Sequence, residues 1–312
     1  MPVSLGRPGF RRSWHISQDT VCQKRRLGYP YRVSIATQAE QARSRMARRR
    51  ASSAMAATPE PSGQLLVEAE VLAVAAPAAA VRRVTLGAAE FVGLPTAGAD
   101  EFLGLLMPPT GQGLVLPDPD RVDIRAAVAE LPEHARPALR WYTVRRHDDV
   151  AGTIDVDIVT HGTSGPGSAW ALTVRPGDRV GVRQCGALFL PGDSDRICFV
   201  VDETAAPGLA AIMERHDLGP DCRIIVETPD LAHLTPLPWH PGLTVLTRHD
   251  RTPGEVARAA LADADATAFD YFYLCGESDL AASCRRLLVS ERGVARRQVL
   301  FSGYWKLGQA RV

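Results

Sequence analysis

A change of pattern near residue 195 constrains the fold of this 312-residue chain more than any other feature. Before it, from residue 65 to about residue 190, short apolar runs are separated by glycines and prolines. One run, residues 154–159, alternates apolar and acidic side chains, which is typical of a half-buried strand. Many short strands at this spacing predict an antiparallel barrel or sandwich over residues 64–192. The other predicted elements are strands 66–71, 81–86, 102–107 and 140–146 and a short helix at 168–174.

Beyond residue 195, apolar runs alternate with helix-like stretches. The predicted strands are residues 197–201, 223–226, 243–246, 271–274 and 299–301, and the predicted helices are 205–216, 255–266 and 279–292. This alternation indicates βαβ units around a parallel sheet that is buried on both faces. We therefore predict an α/β domain over residues 193–312. A barrel followed by such a sheet is one arrangement that holds a flavin on the barrel and a nicotinamide nucleotide on the sheet.

Polar residues follow four of the predicted parallel strands, and ligands of such sheets bind beyond the carboxyl ends of the strands. We expect these residues to line a site. They are Asp202-Glu203-Thr204, Glu227-Thr228, Thr247-Arg248 and Gly276-Glu277. Arg248 is either a ligand of a nucleotide 2′-phosphate or a solvated surface group.

Residues 1–63 differ in composition from the rest of the chain. Residues 1–60 hold 12 of the 36 basic residues and only three of the 35 acidic ones. The stretch has no sustained apolar period, so we predict a disordered tail or a translated leader, with Met46 or Met55 as the natural start. A basic arm that binds nucleic acid is a weaker alternative, and Arg11-Arg12 is followed by no apolar signal segment.

The cysteines and the hydropathy exclude several classes of protein. The six cysteines form no CxxC motif and no Cys/His spacing of a zinc site, so we expect neither a metal site nor a disulfide framework. That usage fits a reducing cytoplasm. No apolar run reaches the roughly 20 residues of a membrane span.

The segment Arg140-Trp141-Tyr142-Thr143 is the first candidate site. On a strand, Arg140 and Tyr142 share one face and Thr143 lies on the other. A flavin site needs a flat stacking surface, a hydrogen-bond donor near N5 and a cation for the pyrophosphate. The alternative interpretation is an edge strand with an exposed arginine.

A glycine-rich segment, residues 161–171, directly follows the alternating strand. Gly165 and Gly167 allow close approach of the backbone, and Ser168 begins a predicted helix whose free N–H groups suit a pyrophosphate. The segment does not match the GxGxxG dinucleotide fingerprint. A glycine-rich hairpin with a structural His161 is the alternative.

Taken in order, these segments resemble the siderophore-interacting protein family, which comprises flavin-dependent ferric-siderophore reductases related to ferredoxin–NADP reductases. The resemblance spans residues 65–309. The matched barrel positions are Arg140, Tyr142, Thr143 and Arg145, then Asp155, Asp157, His161 and Gly162, then Gly165, Pro166, Ser168, Trp170 and Ala171, and then Arg175-Pro176-Gly177-Asp178. The matched positions of the second domain are Asp202-Glu203-Thr204-Ala205 with Pro207, Gly276-Glu277 and Ser302-Gly303-Tyr304-Trp305-Lys306-Leu307-Gly308.

Two segments depart from the family pattern. Arg183-Gln184-Cys185-Gly186 stands where the family has a Gly-Pro pair, and Val200-Val201 stands where Ala-Gly precedes the Asp-Glu-Thr segment. The second change removes a glycine at which the backbone approaches a nucleotide. It therefore favours the alternative of a flavin- or siderophore-binding protein without turnover.

The resemblance implies an N-terminal antiparallel FAD-binding β-barrel and a parallel-sheet α/β NAD(P)-binding domain. It implies FAD, with NADPH or NADH as donor or ferredoxin in its place, and a ferric siderophore as substrate. The implied cofactor-binding residues are Arg140, Tyr142, Thr143, Asp157, His161, Gly162, Gly165, Ser168, Trp170, Ala171, Asp202, Thr204, Glu277 and Trp305. A monomer without stable membrane or nucleic-acid contacts is expected.

Lys306 is the only lysine after residue 24, and the resemblance implies that it docks the anionic ferric siderophore. Thr143 and Lys306 are thus the residues expected to serve the reaction. Trp305 and Tyr304 either cover the flavin ring or seal the last strand as core residues. A general NAD(P)H-dependent flavin or ferredoxin reductase is the alternative enzyme on the same fold.

Overall fold

The strands between residues 66 and 184 form one antiparallel sheet in the computed structural model, which describes residues 65–163 and 165–309. Its seven strands lie in the order β4-β3-β7-β1-β2-β6-β5. They are β1 (Leu66–Ala78), β2 (Val81–Gly87), β3 (Phe102–Met107), β4 (Ala138–Thr143), β5 (Arg146–Asp148), β6 (Thr153–Val159) and β7 (Arg179–Gln184). The predicted tail, residues 1–63, lies outside the described residues.

The sheet curls around an apolar core, as the alternating pattern predicts. Ile154, Val156 and Ile158 of β6 are at most 4% exposed and pack inside with side chains from the other strands. Just after β4, the N–H of Arg145 donates to the carbonyl of Asp155 in β6 at 2.8 Å, which brings the two ends of the sheet together. The predicted barrel is confirmed.

The second half is a five-stranded parallel sheet with the order β10-β9-β8-β11-β12. The strands are β8 (Ile197–Asp202), β9 (Arg223–Thr228), β10 (Leu243–Thr247), β11 (Tyr271–Glu277) and β12 (Val299–Trp305). The strand order reverses between β8 and β11, where ligands of such sheets bind. The predicted α/β architecture is confirmed, and the predicted boundary at residues 192–193 falls between β7 and β8.

The helices cover both faces of the parallel sheet and the mouth of the barrel. They are α1 (Ile124–Glu130), α2 (Pro166–Thr173), α3 (Ala206–Arg215), α4 (Glu255–Ala262) and α5 (Ser278–Arg286). Phe199 and Val201 pack with α3 on one face, whereas Cys198 and Val200 pack with α4 and α5 on the other. Consecutive residues of these strands are therefore apolar, because the sheet is buried on both of its faces.

Several predicted boundaries are wrong. The strand predicted at 140–146 is two strands, β4 and β5. The helix predicted at 279–292 ends at Arg286 and continues as a wider π-helical turn over Leu287–Glu291. Strand β7 and helix α1 are additional elements. None of the described helices is long and apolar enough to cross a membrane.

Apolar packing joins the barrel to the parallel sheet. Phe189, in the segment between β7 and β8, is 3% exposed and its ring contacts those of Phe199 and Tyr273. Asp100, which precedes β3, accepts hydrogen bonds from the N–H groups of Leu188 and Phe189 at 3.0 and 2.9 Å. Its other oxygen accepts the Tyr273 hydroxyl at 2.8 Å. A barrel carboxyl group thus reaches the centre of the second domain.

One ion pair and one hydrogen bond complete this contact. Arg145 pairs with Glu214 of α3 through two hydrogen bonds of 2.6 Å, and its side chain is 3% exposed. Asp157 of β6 pairs with Arg83 of β2 at 2.6 and 2.7 Å and accepts the buried Thr235 hydroxyl at 2.6 Å. Asp157 therefore connects a barrel strand to a loop of the second domain.

We expect Asp157→Ala to lower the free energy of unfolding by about 3 kcal/mol, because it leaves the Arg83 guanidinium and the Thr235 hydroxyl without their buried acceptor. Urea denaturation measures the loss. The control is Glu130→Ala, which breaks an exposed ion pair with Arg121 and should cost less than about 1 kcal/mol. Equal losses in the two variants would contradict the assignment.

Candidate functional site

The face of β4 that carries Arg140 and Tyr142 meets the first turn of α2. A Cβ atom at Gly167 would lie 1.9 Å from the Tyr142 hydroxyl oxygen and 3.9 Å from Cγ of Arg140. Only glycine therefore fits at position 167. Both β4 side chains reach the same helix end, as expected for residues two apart on a strand. Burial raises the pKa of Tyr142 to about 12, so its hydroxyl keeps its proton at neutral pH.

The N-terminus of α2 has no side-chain cap among the described residues, and its N-cap is Gly165. Uncapped N–H groups at a helix start attract anions. The Ser168 hydroxyl instead holds the preceding loop: it accepts from the N–H of His161 at 3.0 Å and donates to the carbonyl of Gly162 at 2.5 Å. Gly162 has a φ of +83°, in the left-handed region that favours glycine.

The remaining barrel candidates lie in different surroundings. His161 is exposed, and Trp170 is half-buried against the barrel core. Ala171 is 2% exposed within that core, so its side chain has a packing role. Asp157 is fully engaged by Arg83 and Thr235, so its carboxylate is a structural acceptor.

Thr143 lies at the contact between the two domains. A Cβ atom at Gly208 of α3 would be 3.4 Å from its hydroxyl oxygen. Thr143 is 7% exposed and, as predicted, lies on the opposite side of β4 from Tyr142. This hydroxyl therefore sits where the barrel meets the carboxyl end of the parallel sheet.

The second-domain candidates converge on one carboxylate, that of Asp202 at the end of β8. One oxygen accepts from the N–H and hydroxyl of Thr204 at 2.8 and 2.6 Å and from the N–H of Ala205 at 3.2 Å. The other accepts from the N–H of Glu277 at 2.6 Å and the indole N–H of Trp305 at 2.7 Å. Asp202 thus joins β8, β11 and β12 at one edge of the sheet.

A glycine permits this approach. Gly276 has a φ of +136°, and a Cβ atom there would lie 2.4 Å from the Asp202 carboxyl carbon. Burial and the neighbouring Glu203 carboxylate raise the pKa of Asp202 from 3.8 to about 7. The group therefore titrates near neutral pH even though it is fully buried.

Glu277 and Lys306 lie at the start of α5. The Glu277 carboxylate accepts from the N–H groups of Asp279 and Leu280, so it caps the helix. Lys306 is 44% exposed, and its Nζ is 4.0 Å from the Asp279 carboxylate. Among the residues the structure describes, Lys306 is thus a partly free cation beside the Asp202 cluster.

The two aromatic residues before Lys306 lie in different surroundings. The Tyr304 hydroxyl is 3.2 Å from that of Tyr273, and its ring packs against the core, so Tyr304 is a core residue. Trp305 is half-buried and held by Asp202.

Sequence reasoning missed the polar partners that hold the site. Asp100, Glu214 and Thr235 lie far along the chain from the residues they bind, and no local pattern marks them. Arg248 is not a solvated surface group: it is 6% exposed and forms two hydrogen bonds with Glu203, at 2.7 and 2.8 Å. No group of three metal-ligating side chains occurs among residues 65–163 and 165–309.

Replacing Asp202 by Asn should flatten the pH dependence of stability. The folded protein holds the Asp202 proton up to about pH 7, whereas the unfolded chain loses it near pH 3.8, so the wild-type free energy of unfolding falls as pH rises between these values. Urea midpoints at pH 5, 6 and 7 measure the slope. Asp217→Asn, at an exposed carboxylate, should keep the wild-type slope. An unchanged slope in Asp202→Asn would contradict the assignment.

Both halves of the chain match known protein families. Residues 70–187 match the siderophore-interacting FAD-binding domain, and residues 194–308 match the siderophore-interacting protein family. A siderophore utilization protein from T. fusca is 31% identical, with a TM-score of 0.67 over 80% of this chain and 95% of that one.

Two curated bacterial relatives carry names that describe an activity. The ferric vibriobactin reductase ViuB of Vibrio cholerae is 27% identical over 243 residues, which cover 73% of this chain and 84% of that protein. The ferric acinetobactin reductase of Acinetobacter baumannii is 25% identical over 196 residues, covering 59% of this chain and 66% of that protein. With matched domains over both of its sheets, the chain belongs to the siderophore-interacting protein family, and its barrel is an FAD-binding domain of that family.

Proposed function

We propose that this protein is a flavin-dependent oxidoreductase that reduces ferric siderophores and releases Fe(II), with electrons that enter from NADPH or NADH. The observation that carries the proposal is the meeting of Arg140 and Tyr142 with the uncapped start of α2, within a domain matched as FAD-binding. The named activities of the two curated relatives support the choice of substrate.

The residues of the barrel fit FAD. The start of α2 offers backbone N–H groups to a pyrophosphate, and the Arg140 guanidinium, which has no carboxylate partner among the described residues, supplies a cation. The Tyr142 ring gives a flat surface beside it. His161, Gly162 and Gly165 shape the exposed loop, which Ser168 ties to the helix. Trp170 and Ala171 support the helix from the core.

Thr143 is the side chain we assign to the reacting end of the flavin. Its buried hydroxyl lies at the domain contact, where donor and flavin would have to meet. Asp157 has an indirect role, because it fixes β6 against the second domain. Each of these side chains binds the flavin or positions the elements around it, and none is required to act as a nucleophile.

The carboxyl edge of the parallel sheet is the proposed donor side. Asp202, Thr204, Glu277 and Trp305 form one hydrogen-bonded unit there, and we assign to them the task of holding the edge and the indole ring in place.

The chemistry that FAD would supply at this site is the conversion of a two-electron hydride donation into two single-electron transfers. One nucleotide oxidised therefore corresponds to two Fe(III) reduced. The hard anionic oxygens of a siderophore bind Fe(II) far more weakly than Fe(III), so reduction releases the metal. Lys306 attracts the anionic complex as a mobile point charge.

An anaerobic absorbance titration tests the proposal. NADPH or NADH is added to the FAD-loaded protein, then a ferric tris-catecholate, and Fe(II) is trapped with a chelating dye. We expect bleaching of the flavin, and then reoxidation with two Fe(II) trapped per nucleotide. A flavin that neither nucleotide bleaches would reject the donor, whereas bleaching without Fe(II) would reject the substrate and favour a general flavin reductase.

Gly167→Ala should weaken FAD binding by about tenfold or more, because the added Cβ would overlap the Tyr142 hydroxyl and displace it from the helix end. The ratio of flavin to protein absorbance after gel filtration measures the loss. Gly113→Ala is the matched control, since nothing lies within 4 Å of a Cβ there. Full flavin occupancy in Gly167→Ala would rule out this site.

Lys306→Ala should raise the KM for the ferric tris-catecholate about fivefold at low salt, and less at high salt, with flavin absorbance unchanged. Lys306→Arg should retain most of the affinity, because it keeps the charge. Arg121→Ala removes an exposed cation from the barrel surface and serves as the control. An unchanged KM in Lys306→Ala would exclude the docking role.

A further inference from the structure

The guanidinium of Arg248 is withdrawn from solvent at the end of β10. It forms a bidentate pair with Glu203, at the end of β8, with N–O distances of 2.7 and 2.8 Å. Both side chains are nearly buried, at 7% and 6% exposure. A buried bidentate pair of this kind is costly to separate, because each partner would remain as an uncompensated charge.

A second carboxylate lies near one of the guanidinium nitrogens that Glu203 binds. Glu227, at the end of β9, lies 3.9 Å from the Arg248 guanidinium and is fully buried. Its oxygens accept from the N–H groups of Gly254 and Ala257 at 2.6 and 2.9 Å, so Glu227 is itself fixed at the start of α4. The arginine is therefore paired with one carboxylate and lies close to a second that backbone N–H groups hold in place.

This position matters because of where nucleotides bind on such sheets. The nucleotide crosses the carboxyl ends of the strands near the point where strand order reverses. There an arginine accommodates the 2′-phosphate of NADP, and an acidic side chain binds the ribose hydroxyl of NAD. Here the arginine that follows β10 is already neutralised.

The rest of the edge is acidic. Asp202, Glu203 and Glu227 stand at the ends of the first two strands, and Glu277 ends β11. Asp230, which follows β9, is exposed and paired with His233 at 2.8 Å. Asp202 is largely protonated just below neutral pH. The remaining carboxylates still outnumber the cations, which are Arg248, Arg251 and Lys306, so an additional phosphate would meet net negative charge along this edge.

We propose that the Glu203–Arg248 pair determines the choice of donor by withholding the arginine from the nucleotide, so that the protein uses NADH in preference to NADPH. The inference rests on the proposed function, in which a nicotinamide nucleotide reduces the flavin. Glu203 is then a positioning residue that sets the donor preference through its pairing with Arg248.

The test compares the two nucleotides on the FAD-loaded protein. We expect kcat/KM for flavin bleaching to be about tenfold higher with NADH than with NADPH, the loss expected when one charge-assisted contact is missing. Glu203→Gln frees the guanidinium, so kcat/KM with NADPH should rise about tenfold while the value with NADH changes little. Arg251→Ala removes the exposed arginine three residues further on and should leave the ratio unchanged.

Equilibrium binding gives a readout that does not depend on turnover. Isothermal titration with adenosine 2′,5′-bisphosphate and adenosine 5′-monophosphate should show no advantage of the 2′-phosphate in the wild type. A gain of about tenfold is expected for the bisphosphate in Glu203→Gln. If that variant does not fold, the double variant Glu203→Gln with Arg248→Met removes both charges, and it should not prefer the bisphosphate.

The outcomes separate this inference from the proposed function. A wild-type preference for NADPH, or for the bisphosphate, that disappears in the double variant would overturn the inference and leave the reductase intact. A preference that disappears in Arg251→Ala would overturn it too, and would place the phosphate contact on the exposed arginine. Bleaching by dithionite but by neither nucleotide would reject the donor step, and with it both statements.

Discussion

The carboxyl edge of the parallel sheet depends on one buried carboxylate. Asp202, at the end of β8, accepts five hydrogen bonds from groups on two other strands and on the turn that follows β8. A buried carboxylate is tolerated only when its lone pairs are satisfied, and here every donor is a backbone N–H or a neutral side chain. Because the strands β8, β11 and β12 all end at this group, the position of Trp305 and of the segment that carries Lys306 follows from it.

The barrel is joined to the second domain by polar side chains as well as by apolar packing. Asp100 reaches Tyr273, Arg145 reaches Glu214, and Asp157 reaches Thr235. Each of these contacts directs a polar group of one domain at a specific partner in the other, which apolar packing alone does not specify. The orientation of the barrel relative to the parallel-sheet domain is therefore set by directional hydrogen bonds and an ion pair around the apolar contact of Phe189.

The sequence was sufficient to predict both sheets, because burial imposes a period that can be read locally. Residues 154–159 alternate because only one face of that strand is buried. The runs after residue 195 are apolar throughout because both faces of the parallel sheet are buried. The sequence also predicts that Asp202, Thr204 and Glu277 share one edge, because they follow strands of a parallel sheet. Trp305 joins them in the structure, whereas the sequence marked it only through the family resemblance.

What each group does could not be predicted in this way. Asp157 fits a cofactor motif, yet its partners Arg83 and Thr235 are 74 and 78 residues away. Arg248 is one of 34 arginines, and only the fold shows that Glu203, 45 residues earlier, pairs with it. Pairings of this kind are made by tertiary structure and leave no local pattern.

The position of Phe189 has a consequence for the modularity of the chain. Two separate family matches, over residues 70–187 and 194–308, suggest two exchangeable modules. Phe189 lies between them, and Ala99 of the first half packs with it in the core of the second. A cut in this linker would remove an aromatic anchor from the core of one half and expose apolar surface on the other. The two halves thus match two separate families in sequence, but they fold together as one unit.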